Sequence, residues 1–247
     1  MRHPTPLTLS LLRTLGSSPA PDQGLTLIEC LVAIIIITIT VLAITPPILL
    51  ATATRVQSRR TEQANQIAQA EIDRIRSVVE RGGYTINDLP GSTGNNNPLV
   101  NVAAATTPPS TATPLQSPVD CPGATRYPTA TPIPVNSLIR VDVDGDCMPE
   151  YMMQVFRNNG PTLPGTPTPP PVAFNVGVRV YAHIPNEPFP TLLTTRASLV
   201  AGTTARDRQA NNARQPLAAL YSTMARNDQN RSLGQICNQL GRGTCNF

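Results

Sequence analysis

An apolar run from Cys30 to Ile44, with the acidic residue Glu29 directly ahead of it, most constrains what this chain can fold into. The run continues to about residue 50, which is long enough to cross a bilayer as a helix. Placing an ionised side chain within a membrane costs roughly 2.5–3.5 kcal/mol, so an acid at this depth indicates a function. The function that we infer is assembly, in which a positive group of another chain neutralises Glu29.

The residues from Gly24 to Glu29 (Gly-Leu-Thr-Leu-Ile-Glu) form a junction ahead of this helix. Gly24 offers a peptidase an unhindered, extended backbone, and Thr26 is a candidate helix N-cap. If the chain is cut after Gly24, the new amine of Leu25 lies one helical turn from Glu29, and both groups suit the helix macrodipole. The most economical partner for Glu29 is then the terminal amine of a neighbouring subunit. The alternative is an ordinary signal anchor that carries a glutamate near its start.

The same junction resembles the class III signal of type IV prepilins and type II secretion pseudopilins. This resemblance implies that a prepilin peptidase cleaves between Gly24 and Leu25 on the cytoplasmic face and that the amine of Leu25 is methylated. It also implies that Glu29 acts in filament assembly. The implied partners are other pilins or pseudopilins, the peptidase and an inner-membrane assembly platform. The chain departs from the usual pattern in having leucine rather than phenylalanine at the first mature position and a long, 24-residue leader.

The charges that flank the apolar run conflict with this orientation. Arg55, Arg59 and Arg60 follow the run, whereas the arginines of the leader are offset by acids, so the positive-inside rule alone places the C-terminal part in the cytoplasm. The cleavage motif is far more specific than a bias of three arginines. We therefore expect a single-pass inner-membrane protein with its head in the periplasm or, as part of a filament, at the cell surface.

Periodicity and composition divide the chain into four parts: a leader (1–24), a hydrophobic membrane and assembly helix (25–50), an amphipathic helix (51–81) and an exported head (82–247). One long helix is expected from Thr26 to about Arg81, kinked near Pro46 and Pro47 and ended by Gly82 and Gly83. Its second half has an apolar stripe at helical spacing, on which a head would pack or a partner would bind. The stripe comprises Ala64, Ile67, Ala68, Ile72, Ile75, Val78 and Val79.

The head combines strands with loops rich in Pro, Thr and Asn. The segments 87–136 and 158–172 read as long loops without secondary structure. Strands are predicted over 138–143, 150–156 and 173–182, with a weaker strand over 196–201 and a short helix over 217–224. The expected fold is α+β and pilin-like, with the long N-terminal helix packed on a small antiparallel sheet.

An acidic hairpin connection between the first two predicted strands carries oxygen ligands at alternate positions. Hard carboxylate oxygens at this density favour Ca²⁺ over zinc or copper. Against a standard calcium loop, Gly145 comes one residue early and Met153 occupies the place of the final glutamate. The alternative is an exposed acidic turn built on Asp-Gly. The candidate ligands are the side chains of Asp142, Asp144, Asp146 and Glu150, with the carbonyl of Met148 as a fifth.

Five cysteines divide into Cys30, in the membrane helix, and four in the head. An even exported set suits disulfide bonds in an oxidising compartment, and sequence alone leaves three pairings open. Proximity favours Cys121 with Cys147 and Cys237 with Cys245. Free thiols are the remaining alternative.

Several classes of function have little support in the sequence. The only histidines are His3 and His183, and no hydrolase, P-loop or metalloprotease motif is present, so we expect no enzyme. The absence of tryptophan and an aromatic content of 4% provide few stacking platforms, so no specific nucleic-acid partner is predicted.

Short stretches along the mature chain resemble the hormogonium polysaccharide secretion pseudopilins of filamentous cyanobacteria, most closely those of type B. They are 59–76, 84–90, the Val-Asp-Val-Asp-Gly-Asp hairpin and 216–221. The resemblance implies a minor filament subunit that serves polysaccharide secretion and gliding motility. Two alternatives remain open: a minor type IV pilin for twitching motility or DNA uptake, and a pilin-anchored, calcium-dependent adhesin or carbohydrate-binding module.

Overall fold

A computed structural model describes residues 26–94, 108–117, 121–129, 131–162, 169–183, 191–197, 214–226 and 237. The chain divides into two compact units, Met1–Thr54 and Arg55–Phe247. The first unit contains the apolar half of a long helix. The second contains the amphipathic half of that helix and a six-stranded sheet.

The helix α1 runs from Leu27 to Arg81, 55 residues, close to the predicted range. Thr26 precedes it, and the Thr26 carbonyl oxygen accepts hydrogen bonds from the backbone N–H groups of Glu29 and Cys30 at 3.0 and 3.2 Å. The helix ends before Gly82 and Gly83, whose φ angles of 71° and 68° are left-handed. Glycine adopts this conformation without steric cost, which explains the stop.

The apolar half of α1 includes a candidate membrane span, Leu27–Ile48, of 22 residues, whose 18-residue apolar window is not buried in the protein. At 1.5 Å per residue it measures about 33 Å, comparable to the hydrocarbon core of a bilayer. Its threonines satisfy their hydroxyls within the helix: the Oγ1 atoms of Thr38 and Thr45 donate to carbonyl oxygens one turn earlier, at 2.7 and 2.6 Å. The segment can therefore enter lipid without unpaired hydroxyls.

The sheet contains six strands in the order β2-β1-β3-β4-β5-β6. The strands are β1 (Thr111–Ser117), β2 (Thr125–Arg126), β3 (Ser137–Val141), β4 (Tyr151–Arg157), β5 (Ala173–Ala182) and β6 (Ala218–Ala225). The predicted strands over 138–143, 150–156 and 173–182 correspond to β3, β4 and β5.

The α+β pilin-like fold is confirmed, but the sheet is mixed. From β3 to β6 all neighbours are antiparallel, with Ile139 opposite Met153 and Val178 opposite Leu220. At the other edge, β1 runs parallel to both β3 and β2. The register of β1 against β3 shifts between Ala112 and Gln116, around Pro114, whose nitrogen has no proton to donate to a ladder.

Two predictions for the head were wrong, and a third is largely untested. The helix expected over 217–224 is the strand β6, because pairing with β5 over eight residues overrides the helical preference of alanine, leucine and methionine. The segment 87–136 is not without secondary structure, since it contains β1, β2 and a 3₁₀ turn at Ile86–Asp88. Of the weak strand over 196–201, only Arg196 and Ala197 are described, and both lie outside strands.

The core of the head lies between the amphipathic half of α1 and one face of the sheet. The predicted stripe is the helix side of this core: Ala64, Ala68, Ile72, Ile75 and Val79 are at most 3% exposed. Along β5, the alternate residues Phe174, Val176, Val178 and Val180 face them. The stripe is therefore the seam on which the head packs, and the alternative of a partner groove is not needed. A smaller cluster lies apart from this core, formed by Leu138, Met152, Tyr181 and Leu192.

Candidate functional site

The N-terminal junction places Glu29 in the first turn of α1. The Thr26 hydroxyl oxygen lies 3.4 Å from the backbone nitrogen of Glu29, which donates to it, as expected of an N-cap. An acid in the first turn interacts favourably with the positive end of the helix dipole. The predicted cleavage residues Gly24 and Leu25 lie outside the described part of the chain.

The surroundings of Glu29 are apolar and exposed. Leu27 is 79% exposed and Ile28 65%, and the apolar side chains continue outward through Leu31 and Val32. Glu29 makes no ion pair with any residue that the structure describes. In a bilayer this carboxylate would lack a charge partner from its own described chain, which is the chemical condition for recruiting one from another molecule.

The acidic hairpin between β3 and β4 is a turn held by its own carboxylates. Asp142 is 1% exposed, and its two oxygens accept the N–H groups of Gly145 at 2.7 Å and Cys147 at 2.8 Å. Asp144 accepts from Asp146 at 3.2 Å, and Glu150 accepts from Val143 at 2.8 Å. These bonds fold the turn with or without an ion, as the alternative of a simple acidic turn requires.

Four of the five predicted ligands are brought together. Asp142, Asp144, Asp146 and Glu150 each have a carboxylate oxygen within 4.8 Å of the others'. An ionised carboxylate has about four lone-pair sites, so accepting an N–H group leaves capacity for a cation. The side chain of Met148 is 69% exposed, and its predicted role is through its carbonyl oxygen.

A disulfide bond joins Cys121 to Cys147, as proximity predicted. It links the segment after β1 to the acidic hairpin across a sequence separation of 26 residues. Cys147 has a φ angle of 70°, a left-handed conformation that is uncommon outside glycine. Cys237 is also disulfide-bonded, whereas its predicted partner Cys245 lies outside the described residues.

A buried charged network on α1 was not predicted from the sequence. Glu71 is 6% exposed and accepts from both Arg74, at 2.7 and 2.9 Å, and the Tyr127 hydroxyl, at 2.6 Å. Burial lowers the pKa of Arg74, but hydrogen bonding and the charge of Glu71 outweigh it and raise that pKa. The spacing of Glu71 and Arg74 was a visible signal, whereas Tyr127 is 53 residues from Arg74 in sequence.

Comparison with protein families gives one match. Residues 20–45 match the model of the prokaryotic N-terminal methylation motif, and this range includes Gly24, Leu25 and Glu29. No curated protein and no solved structure matches the chain. The motif, the apolar helix that it overlaps and the α+β head are all features expected of a pilin-like protein. Residues 20–45 thus carry the N-terminal methylation motif, the class III signal of type IV pilins, and within the described residues one stretch of helix, Leu27–Ile48, is long and apolar enough to cross a membrane.

Proposed function

We propose that this protein is a minor pilin-like subunit, or pseudopilin, of a machine related to type IV pili and type II secretion systems. A prepilin peptidase would cut between Gly24 and Leu25 and the new amine would be methylated. The head would lie on the periplasmic side of the inner membrane. The observation that carries this proposal is the methylation motif over residues 20–45, which extends into the exposed apolar helix Leu27–Ile48.

Glu29 would drive incorporation into the filament. Within a low-dielectric membrane or filament core, an unpaired carboxylate is costly, and a positive group close to it recovers much of that cost. The amine of Leu25 in a neighbouring subunit is a positive group in the same apolar layer. Pairing of these two groups would fix one subunit against the next, while the exposed apolar side chains of α1 bury one another.

Mass spectrometry of the native protein tests the processing step. We expect a first residue of Leu25 that carries a methyl group. A chain that retains residues 1–24 in the assembled material would refute the proposal.

A matched pair of substitutions tests assembly. Glu29→Ala should block incorporation into filaments while leaving cleavage intact, because the peptidase acts at the preceding junction. Glu80→Ala removes an exposed acid from the other end of the same helix and should leave incorporation unchanged. Equal incorporation of the two variants would remove Glu29 from the mechanism.

The export role is the finer part of the proposal. The short stretches that resemble hormogonium polysaccharide secretion pseudopilins support polysaccharide secretion and gliding motility as the process served. Deleting the gene, with polysaccharide release, gliding and DNA uptake measured separately, distinguishes the candidates. Loss of release and gliding supports the export role, whereas loss of DNA uptake alone supports a minor pilin of an uptake machine.

We also propose that the acidic hairpin holds Ca²⁺, which would stabilise the head as an export subunit or as a calcium-dependent adhesin. The support is the convergence of four carboxylates within 4.8 Å on a turn pinned by a disulfide. Calcium should raise the thermal midpoint of the protein relative to chelator, and Asp144→Asn should reduce that shift. Asp73→Asn, an exposed acid on α1, is the control. Equal midpoints with calcium and chelator would exclude the site.

A further inference from the structure

A buried arginine at the end of β4 has no acidic partner among the residues that the structure describes. Arg157 is 3% exposed, and its hydrogen bonds to described residues run from Nη1 to the carbonyl oxygens of Asn158 and Asn159, at 2.9 and 3.4 Å. Its Nε atom is buried without a hydrogen-bond partner. The guanidinium carbon lies 5.8 Å from the centre of the Phe174 ring. A buried cation with unused donors and no carboxylate is rare, because burial without a counter-charge is costly.

Arg157 lines a cavity of about 300 Å³. None of the described residues that line this cavity is acidic: they are Ile86, Arg157, Asn159, Gly160, Thr162, Pro169 and Pro171. The cavity thus combines one cation, polar side chains and apolar prolines. This mixture is typical of a small-molecule site, in which a few polar groups orient a ligand against apolar walls.

The walls of the cavity are held in place by hydrogen bonds. The N–H of Val172 donates to the carbonyl oxygen of Pro161 at 2.8 Å, and Asn158 exchanges hydrogen bonds with Asn175 at 3.1 and 2.8 Å. Gly160 has a φ angle of 65°, and an added Cβ there would overlap the carbonyl oxygen of Ala173. The backbone beside Arg157 is therefore fixed before any ligand arrives, which reduces the entropy lost on binding.

A second guanidinium lies near the cavity wall. The guanidinium carbon of Arg226 lies 5.8 Å from the centre of the Tyr84 ring, and the Tyr84 hydroxyl donates to the carbonyl oxygen of Pro171 in the cavity wall at 2.5 Å. Burial lowers the pKa of Arg157 to about 10, so its guanidinium remains charged at neutral pH. An entering anion would supply the counter-charge that no described residue provides.

We propose that this cavity binds one carboxylate-bearing sugar unit, with the Arg157 guanidinium as the partner of the carboxylate. A guanidinium has a planar set of donors that matches a carboxylate, and the volume exceeds that of a carboxylate alone. The Thr162 hydroxyl is exposed and can reach sugar hydroxyls, while Ile86 and Pro171 provide apolar contact for the ring. That the carboxylate belongs to a sugar rests on the proposed role in polysaccharide export.

Calorimetry on the full, processed chain in detergent tests the site, at constant ionic strength. Sodium glucuronate should bind, and neutral glucose should bind roughly tenfold more weakly or not at all, because it lacks the charge-assisted hydrogen bonds. Arg157→Met should weaken glucuronate binding by a similar factor. Arg76→Gln, which removes an exposed arginine of α1, should not change it.

Three outcomes would overturn the proposal. Equal binding of glucose and glucuronate by the unaltered protein removes the carboxylate from recognition. Unchanged glucuronate binding by Arg157→Met removes Arg157. Tighter binding of acetylated, amidated glutamate than of glucuronate assigns the cavity to an acidic side chain of a protein partner.

Thermal unfolding shows whether Arg157→Met loses binding only because it misfolds. Without ligand, Arg157→Met should unfold at a midpoint no lower than that of the unaltered chain, because a costly buried charge is removed. Failure of this site is distinguishable from failure of the proposed function, since filament incorporation would still depend on Glu29 and not on Arg157.

Discussion

Two stretches of α1 have similar apolar side chains and opposite surroundings. In the membrane half, Ile36 is 57% exposed and Leu42 is 67% exposed. In the head half, Ala68 and Ile75 are 0% and 1% exposed. The chain provides a sheet to cover the second stretch and, within the described residues, nothing to cover the first. The first stretch is apolar on all sides rather than along one stripe. This pattern indicates that its surface contacts a solvent or a partner other than the head.

The largest expected effect in this comparison is on the buried stretch. Ile75→Ala removes a side chain that packs in the helix–sheet core and should lower the free energy of unfolding of the head by about 2–5 kcal/mol. Denaturant unfolding of the purified protein in detergent, followed by a signal from the head, measures this change. A loss below about 0.5 kcal/mol would mean that the helix does not depend on the sheet for its packing.

The disulfide should contribute the next largest effect, and only to the head. Replacing Cys121 and Cys147 together by alanine reopens a loop with a sequence separation of 26 residues and should cost about 3 kcal/mol. The thermal midpoint of the double variant measures this loss. Cys30→Ser is the matched control, because Cys30 is a free, exposed cysteine of the membrane half. If Cys30→Ser lowers the thermal midpoint as much as the double replacement does, the membrane half and the head do not differ in their effect on the stability of the head.

The ion pair between Glu71 and Arg74 should matter less. Glu71→Gln leaves Arg74 without its carboxylate, and because the Arg74 side chain is 27% exposed we expect a loss of about 1–2 kcal/mol. The exposed pair of Asp73 and Arg76, with N–O separation of 3.1 Å, offers the control. Asp73→Asn should change the unfolding free energy by less than about 0.5 kcal/mol. A larger loss of unfolding free energy for Asp73→Asn than for Glu71→Gln would show that burial does not decide the strength of these pairs.

The pH dependence of stability tests the contribution of Tyr127 to the network that it forms with Glu71 and Arg74. Burial, followed by the charge of Glu71, raises the pKa of Tyr127 well above its usual value. The folded state therefore favours the protonated phenol, so this contribution is complete below about pH 10 and is lost as the pH rises further. Tyr127→Phe should make stability fall less steeply between pH 10 and 11, by up to about 1.4 kcal/mol per pH unit. Identical slopes for the two proteins would contradict the raised pKa.

The smallest expected effect is on the exposed stretch. Ile36→Ala should leave the unfolding free energy of the head within about 0.5 kcal/mol of the unaltered protein. The same substitution should weaken filament incorporation, because it removes apolar area from a helix face that the proposed function buries against other subunits. Measuring both properties on one variant separates the two roles of α1. Destabilisation of the head as large as that of Ile75→Ala would abolish the distinction.

The long helix and the central strands were predictable because their signals are local. The stripe of α1 and the alternation in β5 are periodic patterns of side chains. Gly82 and Gly83 mark the end of the helix. The acidic hairpin was predictable for the same reason, since its four carboxylates lie within nine residues of one another.

The missed features depend on pairing between distant residues. Ala218–Ala225 has the composition of a helix and becomes β6 because β5 offers a complete edge to pair with. The strand β1 contains Pro114 and two threonines, and its parallel pairing with β3 leaves no hairpin signature. Arg157 directly follows the strand predicted over 150–156, but its burial without a described acidic partner depends on the backbone that follows in sequence and on Phe174.

The pairing of β6 with β5 also affects when the head can fold. Until Ala218–Ala225 has been synthesised, one edge of β5 exposes its hydrogen-bonding groups, and the strand is apolar along much of its length. Open apolar edges of this kind recruit strands from other chains. A nascent or truncated chain that ends before residue 218 should therefore be prone to aggregation, and a holding chaperone would benefit this protein until Ala218–Ala225 has been translated.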